Sequence, residues 1–226
     1  MITGVLRRMR VNVVDSSDSN RQRYGEVIET SSARIWVECD QLNDLPPLGA
    51  LVQVGSDAGD TIFAVVAFSE TTGIDATRRA VRRGSNDVRD ADVYRQHPEL
   101  SRVLRSTFEA IPIAFERDGR IIYVVPPVPP PLHYSVERVA AVQVVRLTDR
   151  FDYLATLARY QGEIASEQIM ISHVRAIYDT RDHDRQWLDT AAAEISRLYA
   201  SEYDRLLPIL EAIDPGEEPA GLRIVR

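Results

Sequence analysis

The chain has 226 residues, a formal net charge of −7, 44% hydrophobic and 27% charged residues, four histidines and one cysteine. All 27 basic residues are Arg, so there is no P-loop, no Schiff-base lysine and no Ser-x-x-Lys nucleophile pair. Cys39 alone excludes an intrachain disulfide and leaves no basis for a cysteine zinc site.

Residues 1–22 carry three early arginines and then the polar run Asp-Ser-Ser-Asp-Ser-Asn-Arg-Gln, which reads as a leader. No apolar block of signal-peptide length follows the arginines, and the longest apolar run, Ile62 to Phe68, is far short of the roughly 20 residues of a membrane helix. No membrane association is expected, and the cytoplasm is the expected location.

From Tyr24 the pattern predicts strands. Tyr24–Thr30 and Arg34–Cys39 are joined by a polar turn. Ala50–Val54 follows Pro46, Pro47 and Gly49, and Thr61–Phe68 is apolar enough to be buried on both faces. Four strands this closely spaced suggest a small antiparallel barrel. Tyr24, Trp36, Phe63 and Phe68 are its expected core aromatics. Ile74–Arg83, Val88–Gln96 and Pro98–Ala110 have helical composition, with Gly84 as a stop and Pro98 in a first turn.

Ile113–Glu116 and Ile121–Val125 flank Arg117-Asp118-Gly119, a hairpin signature. Five prolines in residues 126–131 require an extended strap, and Tyr134–Arg146 is expected to return as a strand. Beyond Thr148 the apolar period becomes helical, predicting helices from about Phe151, over Ser166–Thr180, and over Arg185–Ile213 with a kink at Pro208. Three helices with short connections would form a bundle over residues 148–226.

Residues 71–105 hold eight Arg against five acids, a basic island in an acidic chain. Arg78, Arg79, Arg82 and Arg83 form two i, i+4 pairs on a helix, a candidate phosphate- or partner-binding patch extended by Arg89, Arg95, Arg102 and Arg105. The competing reading is a solvated helix face paired with Asp75, Asp87, Asp90 and Asp92. His173, Asp179, His183 and Asp184 are the one metal-like grouping, but their spacing matches no zinc motif. Cys39 with His97 or His133 lacks an oxyanion loop, and the Glu163/Glu167 pair reads as a polar helix face.

Gly25-Glu26-Val27, the strand bearing Trp36, and the run Pro46-Pro47-Leu48-Gly49-Ala50-Leu51-Val52 resemble the HAS barrel. That small β-domain is shared by HerA-type DNA-translocating ATPases and the ATP synthase catalytic head. The resemblance spans about residues 23–70, and the stretch from His97 through the prolines is similar to bacterial proteins carrying such a barrel. It implies oligomer contacts and docking of a partner nuclease. It implies no catalytic residue here, because the motor needs a lysine that this chain lacks.

The expectation is therefore an α+β protein. A flexible leader (1–22) precedes a HAS-like barrel (23–147) with a helical insertion (about 74–110) and the proline strap; a three-helix bundle and tail (148–226) follow. Its expected function is a non-enzymatic interaction and assembly module associated with DNA-processing machinery, without metal or cofactor. Its expected partner is a protein such as a HerA-type ATPase or its nuclease, with self-association. The alternatives are a nucleic-acid-binding accessory protein using the Arg cluster, and a metal-dependent hydrolase using Asp179, His183 and Asp184.

Overall fold

The computed structural model describes residues 22–75, 81, 83–84, 87–214 and 216. Its strands are β1 (Arg23–Thr30), β2 (Ile35–Cys39), β3 (Leu51–Gly55), β4 (Thr61–Gly73), β5 (Leu104–Arg117), β6 (Arg120–Ile122) and β7 (Ser135–Arg138). Its α-helices are α1 (Ala91–Gln96), α2 (Ala141–Leu147), α3 (Leu154–Ala158), α4 (Ser166–Thr180), α5 (Arg185–Leu198) and α6 (Tyr203–Ile213).

The sheet runs β2-β1-β7-β3-β4-β5, and β2 also pairs with β5, which closes a six-stranded barrel. Every pairing is antiparallel, and β6 attaches to β5 outside the ring. Closure leaves no open edge among the six strands.

Alternation along the strands divides the core in two. Val27, Val37, Val54, Ile62, Ala64, Val66 and Phe108 fill the barrel interior. Phe63, Val65, Ala67, Ile111 and Ile113 point outward into a layer of helices built on Leu147, Leu157, Met170, Val174 and Ile195. Ile62 through Ala67 are therefore all buried, as a strand packed on both faces requires. Burying a side chain such as Phe63 contributes about 1.5–3 kcal/mol.

Two irregularities bend the β4–β5 ladder. Ala67 is the extra residue on β4 and Ile113 the extra residue on β5. Pro112 lies between the stretch of β5 paired with β2 and the stretch paired with β6, where its missing N–H removes no bond on that side.

Several local expectations are corrected. The helix expected over Pro98–Ala110 is a 3-10 turn, Pro98–Arg102, followed by β5 from Leu104. Pairing with β4 and β2 on both sides satisfies this backbone and overrides its helical composition. Of Val88–Gln96 only α1 is helical, and the expected Ile74–Arg83 helix lies mostly outside the described residues. The strand expected to reach Arg146 stops at Arg138 and gives way to α2. The long C-terminal helix breaks at Tyr199–Glu202 instead of bending at Pro208, which sits inside α6. The helical layer thus has five helices, α2–α6, where three were expected.

Polar locks hold the helices of this layer to one another. Arg181, buried at the end of α4, donates to Val145 O and Asp149 Oδ1 at 2.6 Å each and to Thr148 Oγ1 at 3.1 Å, and stacks on Trp187. Its guanidinium thereby satisfies the Val145 carbonyl, which the end of α2 leaves open. Trp187 Nε1 donates to Thr148 O at 2.8 Å. No helix among the described residues is long and apolar enough to cross a membrane.

Candidate interaction surface

The β5–β6 hairpin turns at Asp118 and Gly119, both at positive φ. Past Ile122 the chain leaves the sheet and becomes the proline strap. Its entry is fixed by Tyr123, whose hydroxyl donates to Leu147 O at 2.8 Å and whose ring lies under the Arg150 guanidinium. Its exit is fixed by β1: His133 N donates to Val27 O at 2.8 Å, and Val27 N to Tyr134 O at 3.0 Å. The Tyr134 hydroxyl also donates to Asp57, and that bond raises the pKa of the phenol.

Between these anchors Pro126 and Pro130 are buried against the protein. The apolar side chains between and beside them face solvent: Val124 is 56% exposed, Val125 44%, Val128 68% and Leu132 49%. With Ile122, they are five of the twelve exposed large hydrophobics among the described residues, gathered in eleven residues of chain. A concentrated apolar stretch facing water is a candidate contact surface. Proline and the two anchors have already removed most of its conformational entropy, so a partner that docks there loses little more.

The other sequence candidates do not converge. Arg78, Arg79 and Arg82 lie outside the described residues; Arg83 is exposed, as are Arg89 and Arg102. Arg95 is paired with Asp92 on α1, and Arg105 is partly buried with its Nε lacking an acceptor. His173 is fully buried, while Asp179 and His183 face each other at 3.4 Å on the surface. Asp184 caps α5 by accepting from Trp187 N at 3.1 Å. Among the described residues no three His, Cys, Asp or Glu side chains are grouped to hold a metal ion. His97 is engaged with Glu99 and His133 with Glu26, so neither is spent on Cys39. Burial, then Asp44, Asp40 and Glu38, push the Cys39 thiol up to about 12. Glu163 precedes α4, so the expected helix face with Glu167 does not form, and Glu167 is held by Arg205.

Tyr24 lies in the barrel interior as expected, but Phe63 faces the helices, and Trp36 and Phe68 stand half-buried on the outer wall. A groove of about 730 Å³ opens between barrel and helices, with Tyr24, Val139, Val144 and Ile177 in its wall and Arg138 and Asp179 among its lining.

Sequence reasoning found the strap but read it only as a rigid, extended crossing segment. The signal for its exposed apolar face was Val128 set among the prolines. The chain matches no protein-family model, and no curated protein matches it in sequence.

Proposed function

We propose that this chain is a non-enzymatic interaction and assembly module whose barrel presents the proline strap to a protein partner. The observation that carries the reading is the anchored strap with Val124, Val125, Val128 and Leu132 turned to solvent. Extended, proline-rich segments are favoured ligands for apolar grooves because their conformation is fixed before binding.

The closed barrel, with Gly25-Glu26-Val27 on β1 and the Pro47-Leu48-Gly49 turn leading into β3, supports kinship with the HAS barrel. On that reading the partner is a HerA-type ATPase or its nuclease. The test mixes the purified chain with such an ATPase and nuclease and measures complex mass by light scattering. A complex should form with the native chain and weaken at least about tenfold in Val125→Asp/Val128→Asp, whose exposed positions leave stability within about 0.5 kcal/mol. A monomer that binds neither protein, or a variant that binds as well as the native chain, overturns the proposal.

A second reading rests on the exposure of Arg83, Arg89 and Arg102 in the basic island. It is nucleic-acid binding, and it requires affinity for DNA that falls with salt and with Arg78, Arg79, Arg82 and Arg83 changed to Ala. Unchanged affinity in that variant removes it.

A further inference from the structure

Glu109 is only 4% exposed although it stands on the outer wall of the barrel. Its strand partners are Trp36 on β2 and Phe68 on β4, so the three side chains form one row on one face. Strands on either side of β5 lie about 10 Å apart. The Trp36 and Phe68 ring centroids are only 6.0 Å apart, edge to face at 71°, so the rings lean together across Glu109. From the loop between α3 and α4, Tyr160 donates its hydroxyl to Glu109 Oε1 at 3.2 Å. Gly162 lies against that phenol, where a Cβ would come within 1.9 Å of the hydroxyl oxygen. Burial and the Glu109 charge push the Tyr160 hydroxyl up to about 12, which keeps it a donor.

A buried carboxylate is ordinarily paired with a cation, because its hydration has been lost. Glu109 has a neutral phenol instead. Arg34 is close enough for its charge to act on Tyr160, yet it is exposed and forms no ion pair with Glu109. Three aromatic rings around a carboxylate are the surroundings an organic cation favours: ring faces attract it and the carboxylate neutralises it. Trp36 and Phe68 belong to neither packed core, so both can part without unpacking one.

We propose that Glu109, with Trp36, Phe68 and Tyr160, receives a basic side chain of a protein partner. The ammonium or guanidinium group meets the carboxylate and the alkyl stem lies along the rings. This rests on the interaction-module reading, and it assigns the partner a lysine or arginine at the contact.

The test titrates the full chain with N-acetyl-lysine methylamide, N-acetyl-arginine methylamide and the neutral N-acetyl-norleucine methylamide at matched ionic strength. The two tryptophan indole N–H signals are followed by NMR. At least one cationic probe should shift the Trp36 signal saturably and leave Trp187 in place, with norleucine silent; the preferred cation separates lysine from arginine. Glu109→Gln should weaken the response at least about tenfold, as loss of a charge-assisted bond requires. The norleucine comparison keeps the test decisive even where that variant does not fold. No saturable shift, an equal response to norleucine, or an equal response in a folded Glu109→Gln overturns the inference. Probe binding with no partner complex would sink the partner reading and leave the cation site standing. A complex that is indifferent to Glu109→Gln, with silent probes, would sink the cation site alone.

Discussion

His173 on α4 and Gly49 at the barrel rim are joined by a hydrogen bond, Nδ1–H to the Gly49 carbonyl at 2.7 Å, with no solvent contact at the imidazole. The other ring nitrogen accepts from the Tyr153 hydroxyl at 3.0 Å. Both nitrogens are satisfied by the neutral ring, and burial holds the imidazole down to about 4.

A pH dependence follows. The folded pKa lies below the unfolded value, so the unfolded chain binds the extra proton between them. Stability should be full above about pH 6.5 and fall as the pH drops toward 4. That loss is about 3 kcal/mol from this group. Urea melts from pH 7.5 to 4.5 measure it, and the slope should flatten in His173→Gln; an equal slope in that variant would assign it elsewhere.

The same contact explains why residue 49 must be glycine. Its φ is +80°, and a Cβ would lie 2.4 Å from the His173 backbone nitrogen. Gly59 has φ +84° with open space around it. Gly59→Ala should cost only the left-handed backbone penalty, about 1–2 kcal/mol. Gly49→Ala should cost more than about 3 kcal/mol, because two backbones must separate as well. Thermal denaturation of the pair checks the difference.

Arg181 offers a test of guanidinium geometry. Lys cannot reach Val145 O, Thr148 Oγ1 and Asp149 together, nor stack flat on Trp187. Arg181→Lys should therefore lose about 2–4 kcal/mol despite keeping its charge. The urea midpoint should drop with an unchanged slope.

Cys39 should be chemically quiet. With its thiol held up to about 12, it forms almost no thiolate at pH 8. A thiol reagent should label the native chain far more slowly than the urea-unfolded chain, whereas equal rates would mean that the thiol is open.

What could be read in the sequence were features whose periodicity and burial agree. The unbroken apolar run from Ile62 signalled a strand buried on both faces, and α4 matches its predicted span of Ser166–Thr180. Leu104–Ala110 was misread because Leu104 and Phe108 also fall at helical spacing; only pairing with Ile35–Glu38 and Val66–Gly73, far away in sequence, decides the matter. The break at Tyr199–Glu202 carries no Gly or Pro, and it leaves Pro208 inside α6. Glu109 was hidden for the same reason as β5: a lone acid beside Phe108 has no meaning until Trp36, Phe68 and Tyr160 are brought to it.

β7 is four residues long, yet it lies between β1 and β3 and bonds to both. The ring therefore stays open until the ribosome has released residue 138, more than a hundred residues after β1. Until then β1 and β3 each present an unpaired edge. Synthesis therefore passes through a stage in which two strand edges lie open to wrong pairing, and it ends when one short segment slots home.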